Sequence, residues 1–265
     1  MVKKILIIVF AVILLVYIGF TVVYLNFFQT SEGIVCEKVE VEVANTLGQT
    51  YLSDNEVIAL MKNMDIFPVG KTLGEIGTAE MEEKLKSNKL IKRAECFKTV
   101  GGNIKVKVYQ RIPVLRIFSQ NKSYYVDSER EIMPVPNNFA AYVPVASGSI
   151  NDEYAKNQLY DFVEYLQKDK FWDSQIAQIY VAPNQDVFLT PMIGNQQIIL
   201  GKIEDYKENL DKLRVFYEKG LSEIGWNRYS VINLKYKNQV VCTLTDAALK
   251  ARNKISDSTN KTERD

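Results

Sequence analysis

Ile91-Lys92-Arg93-Ala94-Glu95-Cys96-Phe97-Lys98-Thr99-Val100-Gly101-Gly102-Asn103-Ile104-Lys105-Val106-Lys107-Val108-Tyr109 decides how the chain is read. Val106 and Val108 alternate with Lys105 and Lys107, the period of two that marks a half-buried strand. Gly101-Gly102-Asn103 supplies positive φ at low cost where two antiparallel strands must reverse, so Ile91–Val100 and Ile104–Tyr109 read as a hairpin. Working outward, Val39, Val41 and Val43 alternate with Lys38, Glu40 and Glu42 and read as an earlier strand. Between them, Ser53-Asp54-Asn55-Glu56 is a capping box opening a helix whose Val57, Leu60 and Met61 keep helical spacing. Asp65-Ile66-Phe67-Pro68-Val69-Gly70 stops that helix, and a second runs from about Thr78 to Ser87 with Met81 and Leu85 four apart. The module over residues 37–111 is therefore strand-helix-helix-strand-strand, with Val39, Val41, Val106 and Val108 expected to face the helices. Lys92, Arg93, Glu95 and Lys98 read as a solvated edge, since charge there discourages unwanted pairing.

A second unit covers residues 112–244. Ile112–Phe118 reads as a strand with proline near its start, where a missing N–H is tolerated. Tyr124-Tyr125-Val126 and Ile132–Val135 flank a polar turn, Asp127–Glu131. A helix is expected from about Asp152 to Gln167, with Tyr154, Leu159, Phe162, Val163 and Leu166 as its apolar stripe. Strands follow over Ile176–Val181, Asp186–Thr190 and Gln196–Leu200, then a helix over about Glu204–Lys219. Ser230–Tyr236 and Gln239–Leu244 close the unit as a hairpin around Lys237-Asn238. The fold class is α+β, the second domain being β-rich with two helices. Residues 245–265 are polar, lack apolar periodicity after Leu249, and are expected to be disordered.

Upstream, Ile5 to Leu25 is a 21-residue run without a charged side chain. At 1.5 Å rise it reaches about 31 Å, the hydrocarbon thickness of a bilayer, and no A-x-A-like cleavage site follows. Lys3 and Lys4 precede it and the next basic residue is Lys38, so residues 1–4 are expected in the cytoplasm and the rest outside. Residues 26–36 form a linker. The chain has no histidine, which excludes His-based triads and His-ligated metals. With 33 Lys plus Arg against 32 Asp plus Glu, it lacks the basic surplus a nucleic-acid binder needs. Cys36, Cys96 and Cys242 are odd in number and far apart, and read as small buried hydrophobes.

This succession resembles the FtsQ/DivIB family of bacterial cell-division proteins, and its first module resembles that family's POTRA domain. The resemblance covers residues 1–244 and rests on Phe67-Pro68-Val69-Gly70; Ile91-Lys92-Arg93-Ala94 leading to Val106–Val114 with Gln110-Arg111-Ile112-Pro113; Tyr124-Tyr125-Val126-Asp127; and Ile232–Val240. The family's turn after Y-Y-x-D usually contains glycine, whereas Ser128-Glu129-Arg130 has none. The resemblance implies a non-enzymatic, single-pass assembly protein of the cytoplasmic membrane at the division septum, without catalytic residues, cofactor, metal or small-molecule substrate. Its outer domains, periplasmic where an outer membrane exists, would bind FtsL- and FtsB-type division proteins. Two other classes stay in view: a membrane-anchored cell-wall enzyme using a carboxylate pair, and a POTRA carrier in protein secretion. The latter needs a following β-barrel, for which the second unit has too few strands.

The last strand, Gln239-Val240-Val241-Cys242-Thr243-Leu244, carries neither charge nor proline and is expected to be the partner-binding edge, accepting an added strand. The resemblance adds Lys235 and Tyr236 as specific contacts. With a two-residue turn, Leu234 faces Val241 and Ile232 faces Thr243 toward the core, which leaves Val240, Cys242 and Leu244 outward. For topology, a reporter active only outside the cytoplasm, fused after Asp265, is expected to be active. An inactive fusion, or a mature N-terminus after residue 25, would refute the assigned orientation.

Overall fold

The structure is a computed structural model describing residues 2–29, 33–44, 50–119, 122–136 and 139–262, with side chains in the first helix for residues 9–24 and in the last up to residue 254. It divides into two compact units, Met1–Gln110 and Arg111–Asp265. Val2–Gln29 (α1) is one 28-residue helix. Phe10, Leu15, Val16 and Phe20 on it are exposed. Among the described residues no helix is long and apolar enough to cross a membrane. The side chains of Lys3, Lys4, Ile5 and Leu25, on which the span and its orientation rest, lie outside the described residues.

The rest of the first unit is β1 (Val39–Ala44), α2 (Asp54–Asn63), α3 (Thr78–Ser87), β2 (Ile91–Lys98) and β3 (Ile104–Gln110). The sheet order is β1-β3-β2, with β1 parallel and β2 antiparallel to β3. One row across it joins Val41, Val106 and Cys96, the next Val43, Val108 and Ala94. Burial of Val106 and Val108 beside Val57, Met61, Met81 and Leu85 makes this the core between sheet and helices, as the alternation predicts. The capping box is formed: Glu56 N–H donates to Ser53 Oγ (3.3 Å) and Ser53 N–H to the Glu56 carboxylate (2.8 Å). β2 stops two residues before the expected Val100, because Thr99 N–H and Oγ1 both donate to Asn103 O (2.8 and 3.0 Å) and close the turn early.

The second unit contains β4 (Pro113–Ser119), β5 (Lys122–Asp127), β6 (Ile132–Pro134), β7 (Val145–Gly148), α4 (Asp152–Lys156), α5 (Gln158–Lys168), α6 (Lys170–Asp173), β8 (Ile176–Val181), β9 (Val187–Pro191), β10 (Gln197–Gly201), α7 (Tyr206–Phe216), α8 (Ser222–Ile224), β11 (Tyr229–Asn233), β12 (Val241–Leu244) and α9 (Asp246–Thr262). The strands form one sheet in the order β12-β11-β10-β9-β8-β7-β4-β5-β6. Leu159, Phe162, Val163 and Leu166 of α5 and Leu210 and Leu213 of α7 are buried in its core.

The second unit differs from the sequence reading in four places. The helix expected over residues 152–167 breaks at Asn157 (φ −113°, ψ −94°), whose side-chain amide donates to Glu153 O (2.9 Å) and competes with the helical ladder. β7, Val145-Ala146-Ser147-Gly148, is too short to show a period of two in the sequence, yet it lies mid-sheet, parallel to both β4 and β8. The second expected helix gives way after Phe216 to a π-type turn over Tyr217–Leu221. Residues 246–262, expected to be disordered, are helical as α9. Thr245 Oγ1 accepts from Ala248 N–H (3.3 Å) as a cap, and Ala247, Ala248 and Ala251 are strong helix formers that need no buried face. Residues 263–265 lie outside the described residues.

The Asp127–Glu131 turn manages without glycine. Arg130 takes the left-handed position (φ 63°), and its guanidinium is held 2.5 Å from Asp161 Oδ1 and over the Tyr160 ring. Buried Asp127 accepts from the N–H groups of Glu129 and Glu131 (2.9 and 2.7 Å) and from Arg111 (2.6 Å).

Val106 has no exposed surface, so Val106→Asp is expected to cost about 3–5 kcal/mol through an unpaired buried carboxylate. Hydrogen exchange across residues 39–110 in the full chain reads this out. Parent-like protection there would mean the row assigned to the core is wrong.

Candidate functional site

The proposed binding residues lie at one end of the nine-stranded sheet. β12 is its terminal strand and, among the described residues, pairs with β11 alone. The register is Ile232↔Cys242 and Asn233↔Val241, one residue away from the expected Ile232 opposite Thr243. Because side chains alternate across a strand, that single step exchanges the two faces. Val240 and Cys242 pack against the core beside buried Ile232 and Leu234, whereas Val241 is 42% exposed and Thr243 is also exposed. The assignment of Val240, Cys242 and Leu244 to the outer face is thus corrected: the outward side chains are Val241 and Thr243.

The reason lies in the loop. Lys237-Asn238 does form a turn, with Asn238 at φ 58°, but the ladder never reaches it. Lys212 of α7 donates to Leu234 O (2.7 Å) and Tyr236 O (2.9 Å). Leu234 N–H turns instead to Ile199 O (2.9 Å) on β10. β11 therefore ends at Asn233 and residues 234–240 leave the ladder, although Gln239 N–H still donates to Tyr236 O (3.5 Å) across the turn.

Lys235 is exposed but its head group is tied into this arrangement. Its ammonium lies 2.7 Å from Oδ2 of Asp186, a carboxylate only 6% exposed, and Lys202 approaches the other oxygen at 3.5 Å. The hydrogen bond from Lys235, opposed by burial and aided by the Lys235 charge, keeps the Asp186 carboxyl below its ordinary 3.8. Gly201 lets the Lys235 stem pass: its φ is +90°, and a Cβ there would stand 2.8 Å from Lys235 Cγ. Of the two side chains expected to add specific contacts, Lys235 is therefore committed internally, and Tyr236, 49% exposed, presents its ring to solvent.

The free edge can be assigned main-chain donors and acceptors. Thr245 N–H donates to Arg228 O (3.0 Å), so by alternation Thr243 and Val241 turn their main-chain groups toward β11. Those of Cys242 point away from the sheet, whereas Leu244 O accepts from Ser230 Oγ on β11 (3.4 Å). Gln239 and Val240 border a groove of about 620 Å³ against Val215 and Phe216 of α7.

Sequence reading missed Asp186, Lys202 and Lys212. Asp186 could have been noticed as a charge at the start of an apolar strand, but nothing local pairs it with a lysine 49 residues away. Among the described residues no three His, Cys, Asp or Glu side chains gather to hold a metal. The cysteines are free; burial, with Glu82 nearby, pushes the Cys96 thiol up to about 12.

A family model described as FtsQ/DivIB, C-terminal related, matches residues 112–243, and one described as a POTRA-like domain matches residues 34–109. No curated protein matches the chain.

Asp186 generates a prediction for acid. A carboxyl whose folded-state pKa lies below its ordinary 3.8 contributes stability that is complete above that pH and is lost as pH falls through the lowered value. Asp186→Asn is expected to cost about 1–2 kcal/mol near neutrality, and the variant should lose less stability than the parent on acidification below about pH 4. Denaturant titrations at several pH values measure both. Identical acid limbs for parent and variant would remove the ion pair from this account.

Proposed function

We propose, from the premise that this chain belongs to the FtsQ/DivIB family and is a cell-division protein, that it is a non-enzymatic divisome assembly factor whose β12 edge receives a strand from FtsL- or FtsB-type partners. The observation that carries this reading is the edge itself. β12 ends the sheet, has no charge or proline, turns the main-chain groups of Cys242 away from β11 and exposes Val241. Such an edge is a template for strand addition, in which backbone hydrogen bonds give affinity and alternate side chains give specificity. Tyr236 adds an exposed ring beside it.

The same reading places Ile5–Leu25 across the cytoplasmic membrane, with Lys3 and Lys4 inside and both folded units outside, at the division septum. Two features support it. The run is charge-free within a 28-residue helix, and the exposed apolar side chains of α1 need an apolar medium to cover them.

The test separates the two faces of β12. Val241→Lys with Thr243→Lys is expected to weaken partner binding at least about tenfold, roughly 1.4 kcal/mol, without changing the melting of the second unit. Val240→Glu should instead lower stability, because Val240 packs on the core. Unchanged binding by the double lysine variant in a pull-down with purified partners would move the interface away from this edge.

A further inference from the structure

Three segments of the first unit meet around Ile34. Val35 bridges to Thr72, Cys36 N–H donates to Lys71 O (2.9 Å), Gly70 N–H to Cys36 O (2.8 Å), and Leu73 N–H to Ile34 O (2.8 Å). On the other side, Ile104 N–H donates to Lys38 O (3.1 Å) and Lys38 N–H to Asn103 Oδ1 (3.2 Å). The Ile34 side chain lies over Gly102, where an added Cβ would stand 2.6 Å from Ile34 Cγ2. One end of the domain is thus built from residues 34–36, the Pro68–Thr72 turn and the Thr99–Asn103 turn, locked together by main-chain bonds.

What this end shows to solvent is apolar. Ile34, Val35 and Val69 are exposed, and Val100, at the tip of its turn, is 100% exposed. A fully exposed valine on a glycine-rich turn contributes nothing to the fold that a polar residue would not supply better. Lys71 and Lys98 stand exposed next to the two turns.

The chain itself says what lies opposite. α1 ends at Gln29, and only residues 30–33 separate it from Ile34. Five Cα–Cα steps reach at most about 17 Å, and the four residues from Leu25 to Gln29 add about 6 Å of helix. Ile34 therefore sits no more than about 23 Å from the edge of the hydrocarbon, of which the headgroup layer itself takes about 5–8 Å.

We propose that this rim, Ile34, Val35, Val69 and Val100 with Lys71 and Lys98, rests on the outer phospholipid leaflet and fixes how the POTRA-like domain stands on the membrane. The aliphatic tips enter the interfacial layer and the two ammonium groups meet lipid phosphates. Each contact is weak alone, but the tether holds the rim at high effective concentration beside the surface. This rests on the reading of Ile5–Leu25 as a membrane span.

The full chain, with Cys242→Ser to remove the half-buried thiol, is inserted into phospholipid bilayer discs. An environment-sensitive fluorophore is attached in turn at Val100→Cys, at Val69→Cys and, as an exposed reference, at Ser87→Cys. Labels at 100 and 69 are expected to emit blue-shifted light, to be quenched by lipid-borne nitroxide and to resist aqueous iodide, while the label at 87 does the reverse. Adding Val69→Asp to the Val100→Cys chain should return that label to water. If the chain migrates with the discs but all three labels respond alike to iodide, the rim proposal fails and the span stands. If the chain does not migrate with the discs, the span fails and takes the proposal with it.

Discussion

Lys212 governs the end of the nine-stranded sheet. Its ammonium donates to Leu234 O and Tyr236 O and ties the segment after β11 to α7, while Tyr236 O also accepts from Gln239 N–H (3.5 Å) across the turn. In this arrangement the register stands one residue from that of a two-residue hairpin, and Val241 rather than Val240 points outward. Lys235 and Lys202 on Asp186 fasten the same loop to the start of β9. The candidate binding edge is thus shaped by side chains that need never touch a partner.

The two sheets treat their edges differently. In the first unit, Glu42 of β1 pairs with Lys105 (2.9 Å) and Lys107 (3.7 Å), and Arg93 of β2 pairs with Glu95 (2.8 Å) and lies over the Tyr109 ring. Charges of this kind blunt an edge against added strands. β12 has none, and its outward residues are a valine and a threonine. The contrast agrees with the two contacts proposed above, a lipid surface at one end of the first unit and an added strand along the last strand of the second.

Among the described residues of the second unit, Arg130, Gln185 and Asn238 are the non-glycine residues at positive φ. Arg130 adopts a backbone conformation that costs a non-glycine residue about 1 kcal/mol. Its guanidinium contacts with Asp161 and Tyr160, and the three bonds converging on Asp127, offset that cost. A turn usually built on glycine is here built on a charge.

Much of the fold was legible because it is written in local chemistry. The alternation of Val106 and Val108 with lysines, the Ser53–Glu56 capping box, the glycine turn at 101–102 and the stripe of α5 each depend on neighbours within a few residues, and each formed as read. The second unit's core was equally visible as apolar runs in its strands. What the sequence alone could not reveal depends on partners distant along the chain. β7 is a strand because β4 and β8 flank it, not because Val145-Ala146-Ser147-Gly148 prefers to be one. The outward face of β12 depends on its register against β11, and the fate of Lys235 on a carboxylate 49 residues earlier. Periodicity carries the face of a strand only once its register is known, and the register of β12 is visible only in the folded sheet.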